Sequence, residues 1–116
     1  MIKQVIVMRA DLKMRRGKEI AQGSHASMAF LLEGDTPNHL LNGWLNNAQT
    51  KVCLSVNSQE ELEEIYDKAK DAGLICNMIT DLGKTEFDGV PTKTCLAIGP
   101  NKGNEIDEIT GHLKLR

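Results

Sequence analysis

Aromatic residues are nearly missing from this chain, with one Trp, one Tyr and two Phe in 116 residues. The core must therefore be built from Ile, Leu, Val, Met and Ala. The scarcity also argues against a stacking platform of several rings, such as many single-strand nucleic-acid binders use. Cysteine is sparse as well. Cys53, Cys76 and Cys95 are odd in number and show no CxxC spacing. Each falls in a predicted strand and reads as a buried free thiol in a reducing compartment. No GxSxG elbow is present, and Gly17-Lys18 lacks both the upstream Gly and the following Ser/Thr of a P-loop, which disfavours NTP hydrolysis. His39 and His112 fall in peripheral segments away from His25, so no metal cluster is expected. No apolar run approaches a membrane span and no signal-peptide pattern is visible, so the expectation is a cytoplasmic protein that does not enter the membrane.

What is present is ordinary globular composition, 41% hydrophobic and 26% charged, at a length that predicts one domain over residues 1–116. The formal net charge of −2 hides an asymmetry. Residues 1–18 hold six cations (Lys3, Arg9, Lys13, Arg15, Arg16, Lys18) against one anion, Asp11; the remainder holds eight cations against fifteen anions. A basic end on an acidic body concentrates positive potential locally. A solvated basic loop and a loop that holds an anionic ligand both fit this run.

Hydropathy patterning predicts an α/β layered fold. Residues 2–9 contain the continuous apolar run Val5-Ile6-Val7-Met8, which fits a central strand buried on both faces. Gly17 opens a helix running to about Leu32, with Ile20, Ser27, Met28 and Leu31 as its expected buried side. Gly34-Asp35-Thr36-Pro37 breaks it, and Thr36 with Pro37 is suited to start a second helix over about 37–47. Lys51 to Val56 alternates as a strand. Ser58 with Glu61 forms a capping box before a helix over about 59–72 that has an acidic outer face. Further strands are expected over 74–80 and 92–98, then a turn at Gly99-Pro100-Asn101, a short helix near 105–110, and a small apolar clasp at Leu113-Lys114-Leu115. The expected architecture is a three-layer α/β domain: a four-stranded mixed, largely parallel β-sheet with helices on both faces.

Chemistry-bearing residues gather in two segments. On the first helix Lys18, Gln22 and His25 stand at i, i+4 and i+7 and share one face, beside the basic residues Lys13, Arg15 and Arg16 and the positive end of the helix dipole. A cation, an amide and an imidazole on one stripe suit a polyanionic ligand, with a phosphodiester chain the obvious candidate. The second segment, Asp81-Leu-Gly-Lys-Thr85, follows the third strand. If the first and third strands are parallel neighbours, both segments reach the same rim of the sheet. Asp81 beside Thr85 and His25 can then position and polarise water, while Lys84 adds a phosphate contact. Each residue also has an ordinary structural role open to it: a turn cap for Asp81, a turn hydroxyl for Thr85, a half-buried histidine for His25.

At these residues the chain resembles the type II peptidyl-tRNA hydrolases, the family typical of archaea and eukaryotes. The matching stretches are KQVIVMRADLKMRRGKEIAQGSHAS (3–27), DAGL (71–74), DLGKTEF (81–87), TCLAIGP (94–100) and IDEITGHLKL (106–115). Within them Gly23 stands where cysteine is common, Lys84 where arginine is common and Glu86 where glutamine is common. The resemblance implies a four-stranded mixed sheet between helices, commonly a homodimer, with no cofactor and no essential metal. It implies hydrolysis of the ester joining a peptide, or another N-blocked aminoacyl group, to the 3′ end of tRNA. The positions that match the family's active-site group are Lys18, Gln22, His25, Asp81 and Thr85. On this reading Lys18 and the Lys13–Arg16 loop hold the tRNA acceptor end. Asp81 with Thr85 and His25 orients water and handles protons, and Gln22 contacts the ester or terminal ribose. The alternative is a non-catalytic module that binds tRNA ends, or serves as a protein adaptor, through the same basic face.

Overall fold

The computed structural model describes residues 1–84 and 86–116. The elements run β1 (Ile2–Arg9), α1 (Arg16–Glu33), α2 (Asn38–Leu45), β2 (Lys51–Val56), α3 (Gln59–Asp71), β3 (Cys76–Asp81), β4 (Thr92–Lys102), α4 (Gly103–Thr110) and β5 (Lys114–Leu115). They form one mixed sheet in the order β3-β4-β1-β2-β5. The expected four strands are thus five. The C-terminal clasp is itself an edge strand, with Leu115 opposite Leu54 and Lys114 opposite Ser55. Nor is the sheet largely parallel. Among the described residues only β1 with β2 is a parallel pair, while β4 runs antiparallel to both β1 and β3. β1 and β3 therefore point the same way without being neighbours, and their carboxyl ends meet at one rim.

β1 sits mid-sheet, as its unbroken apolar run requires, and its side chains divide between two cores. Val5 and Val7 face α3 and α4, packing with Leu62, Ile65, Ile106 and Ile109. Ile6 and Met8 face α1, packing with Met14, Ala26, Cys95 and Ala97. Leu62 is wholly buried, and burial of a side chain of that size contributes roughly 1.5–3 kcal/mol. On the α1 face Gln4 is also wholly buried, with its hydrogen bonds satisfied. Its amide donates to Ser27 O at 2.9 Å and to Gly99 O at 3.3 Å, and Ser27 Oγ donates back to it at 2.6 Å. This network pins α1 to the sheet.

α1 is rotated from the orientation its apolar residues suggest. Gln22, Gly23, Ala26 and Phe30 face inward, while Ile20, Met28, Leu31 and Leu32 are exposed. Gly23 and Ala26 allow close approach to the sheet, and Phe30 meets Trp44 of α2 edge to face at 5.5 Å. α2 begins without the expected Thr36 cap: its N-cap position is Pro37, and no side chain caps it. The Ser58 cap of α3 is present, accepting from Glu61 N at 3.1 Å. The expected turn at Gly99-Pro100-Asn101 is instead strand. β4 continues to Lys102 past an irregularity in its pairing with β1. Gly99 has φ +106°, and a Cβ there would lie 2.5 Å from Lys3 O, so only glycine lets the strand pass this point. Cys76 and Cys95 are buried thiols, and burial raises them to about 12 and about 11 respectively; Cys53, contrary to expectation, is exposed on β2. Among the described residues no helix is long and apolar enough to cross a membrane.

Candidate active site

The common rim of β1 and β3 carries the residues that the sequence singles out. After β1, Arg9 turns back to hold the loop: its guanidinium donates to both Asp11 carboxylate oxygens, at 3.2 and 2.7 Å, and to Lys93 O at 3.0 Å. Met14 anchors the same loop in the α1-side core. With those two side chains turned in, Lys13, Arg15 and Arg16 are exposed at the start of α1. Among the described residues no side chain caps that helix end. The basic surface is thus held on a fixed loop, and Arg9 belongs to its internal bracing rather than to its exposed face.

Asp81, the last residue of β3, lies against the first two turns of α1. Lys18 Nζ donates to its Oδ1 at 2.8 Å, Gln22 Nε2 donates to the same oxygen at 3.3 Å, and the Gly83 N–H donates to Oδ2 at 2.9 Å. The Lys18 and Asp81 side chains are only 16% and 13% exposed. The Lys18 hydrogen bond is the main reason that the Asp81 carboxyl lies below the usual carboxylate range. Partial burial opposes that shift, while the Gly83 N–H and the charges of Lys18 and His25 reinforce it. Gly83 closes the turn. It is buried with φ +80°, and a Cβ there would lie 2.5 Å from Val90 O.

Gln22 is turned inward from α1. It is buried, and its amide oxygen accepts from Thr94 Oγ1 at 2.6 Å while its nitrogen donates to Asp81. Thr94 is a site residue that sequence reasoning missed. Ile79 pairs with Cys95 and Thr80 with Lys93, so Thr94 is the extra residue of a β-bulge in β4. The bulge turns the Thr94 hydroxyl onto the α1 face beside Cys95, both of which contact Gln22. The sole hint in the sequence was a hydroxyl at the start of an apolar strand.

Lys18, Gln22 and Asp81 are therefore joined by hydrogen bonds centred on the carboxylate. Gln22 and Asp81 line a cleft of about 340 Å³ together with the exposed His25 and Lys84, and Ile79, Thr80 and Leu82 complete it. Lys13, Arg15 and Arg16 stand at the same end of α1 without entering that cleft. Thr85, the remaining expected residue, lies outside the described residues. Among the described residues no three His, Cys, Asp or Glu side chains gather as metal ligands. Chemically, the cleft offers a fixed, ionised carboxylate, an accessible imidazole and surrounding cations, an arrangement suited to hydrolysis at the end of a polyanion.

Comparison with known proteins agrees with this chemistry. The family described as peptidyl-tRNA hydrolase PTH2 matches residues 2–116. The chain is 46% identical to the peptidyl-tRNA hydrolase of Methanocaldococcus jannaschii, across 98% of this chain and 99% of that one. It is 44% identical to that of Methanopyrus kandleri, across 99% and 98%. It is 42% identical to that of Saccharolobus solfataricus, across 99% of both. Among solved structures, a protein of unknown function from Agrobacterium tumefaciens strain C58 shares the fold at TM-score 0.59 and 13% identity, across 98% of this chain and 96% of that one. With a match that spans nearly its whole length, the chain belongs to the PTH2 peptidyl-tRNA hydrolase family.

Proposed function

We propose that this chain hydrolyses the ester between a peptidyl, or other N-blocked aminoacyl, group and the 3′-terminal ribose of tRNA, acting in the cytoplasm where translation supplies the substrate. The observation that carries the reading is the Lys18–Asp81–Gln22 cluster at the mouth of a cleft flanked by exposed basic residues. A carboxylate beside a phosphate-binding surface repels the ligand, so its presence there argues for chemistry rather than for binding alone.

Asp81 is held ionised on three donors and retains lone pairs that can accept from water. It orients the water whose oxygen attacks the ester carbonyl. His25 reaches the same cleft, and imidazole can take and return a proton at neutral pH. It receives the proton of the attacking water as the new C–O bond forms. It then delivers that proton to the ribose oxygen as the ester C–O bond breaks, leaving a peptide carboxylic acid, which ionises, and a free tRNA hydroxyl. Lys18 is engaged with Asp81 and fixes it; the phosphate contacts fall mainly to Lys13, Arg15, Arg16 and Lys84. Gln22, braced by Thr94, positions Asp81 and lines the same cleft. Thr85, adjacent in sequence to Lys84, is assigned to the same water on the family resemblance. No cofactor enters the scheme.

The partner of the chain in this reading is a second copy of itself. The exposed apolar side of α1, with Ile20, Met28, Leu31 and Leu32, adjoins an apolar groove of about 490 Å³ between α1 and β2, which supports a homodimer. The test of the activity is direct. Purified protein incubated with N-acetylaminoacyl-tRNA is expected to release the N-acetylamino acid catalytically, in metal-free buffer. Absence of release overturns the proposal.

A further inference from the structure

β3 is the edge of the sheet: among the described residues it pairs with β4 alone, so every second residue of Cys76–Asp81 turns its main-chain N–H and C=O away from the sheet. Long open edges invite a further strand and are ordinarily blunted. This one carries no proline and no charged residue before Asp81. It also ends in the proposed catalytic carboxylate. The two faces of the strand open into two clefts, and Thr80 lines both. On the α1 side Ile79 and Asp81 line the cleft of about 340 Å³ that holds His25. On the α3 side Met78 and Thr80 line one of about 360 Å³, together with Tyr66 and Lys93. A cleft on each side of one edge matches the alternation of side chains along an added strand.

We propose that the open edge of β3 binds the peptide portion of the substrate as an additional strand. The inference rests on the hydrolase reading above, because it is the ester at Asp81 that brings the peptide to this edge. The esterified C-terminal residue lies beside Asp81 and the chain extends toward Cys76, so the added strand runs parallel to β3. Six residues of strand span about 20 Å, enough to take five or six residues of peptide. Recognition is through the main chain, which every peptide carries. The two clefts, lined by mixed apolar and polar groups, accept alternate side chains without demanding one type. This mode of recognition suits a substrate whose sequence is arbitrary.

The test uses the intact protein and one tRNA esterified with N-acetylated glycine–alanine peptides of one, three and five residues, and a set of five-residue peptides each carrying one N-methyl group. The proposal predicts that kcat/KM rises about tenfold from one residue to five, the effect of one or two net hydrogen bonds, chiefly through KM. It also predicts that N-methylation at alternate positions removes this gain while methylation at the intervening positions leaves it. Equal kcat/KM at all lengths overturns the inference and leaves the hydrolase reading standing. So does a length effect with no alternation in the methyl scan. No turnover of any substrate, the one-residue ester included, overturns both.

Discussion

In the proposed mechanism Asp81 is the residue on which the chemistry turns, and its environment dictates a pH signature. The Lys18 hydrogen bond, aided by the Gly83 N–H, depresses its folded-state pKa. A depressed carboxylate contributes stability above its unfolded value of about 3.9, and that contribution is lost as pH falls through the lower folded value. The carboxylate that orients water therefore stays ionised below the ordinary carboxylate range. Lys18→Met removes the principal cause, so the Asp81 carboxyl, followed by NMR of its side-chain carbon, is expected to titrate at higher pH than in the wild type. An unmoved titration would show that Lys18 is not what holds it down. At this scale the sequence was informative about identities and silent about partners. Lys18, Gln22 and His25 are legible as one helix stripe, yet spacing cannot say that Gln22 is buried between Thr94 and Asp81.

Among the elements, the turn after β3 is the most constrained piece of the site. Gly83 combines φ +80° with a backbone packed against Val90. Gly83→Ala is expected to cost about 1–3 kcal/mol, read as a lower urea midpoint at unchanged slope, and to reduce activity by displacing the N–H that holds Asp81. An unchanged midpoint would refute this packing. The element order and most boundaries were readable because apolar runs, the Ser58 cap and the Gly34–Pro37 break punctuate them. Four features were not. α1 turns a polar glutamine inward because Thr94 and Asp81 satisfy it, which reverses the face that hydrophobic periodicity favours. The Thr94 bulge and the passage of β4 through Gly99 depend on register, which a single strand's pattern does not encode. β5, two exposed residues long, has no alternation to detect.

For the molecule as a whole, a basic end on an acidic body predicts salt-dependent binding of tRNA. Replacing Arg15 and Arg16 together by Gln is expected to weaken tRNA affinity and flatten the log–log salt dependence by about 1.5, at roughly 0.7–0.9 for each phosphate that is no longer neutralised. An unchanged slope would remove the two residues from the interface. The exposed apolar side of α1 predicts a dimer by sedimentation at low micromolar concentration, converted to monomer by Met28→Glu. A wild-type monomer would refute it. Sheet topology also explains why the site was foreseeable from an imperfect premise. The two site-bearing segments were expected to converge if β1 and β3 were parallel neighbours. They do converge, because the intervening β4 is antiparallel to both.

Catalysis at this rim stands or falls on separating turnover from binding at Asp81. Wild type and Asp81→Asn are compared for release of N-acetylamino acid from tRNA and, in parallel, for tRNA affinity at fixed salt. The isosteric amide keeps the shape of the site and removes the charge. Turnover is expected to fall by at least about a hundredfold, the loss that follows removal of a positioned catalytic group. Affinity for tRNA is expected to hold or improve, because a negative charge has left the anion site. Turnover that survives in Asp81→Asn, or affinity and turnover lost together, would strip Asp81 of its catalytic role.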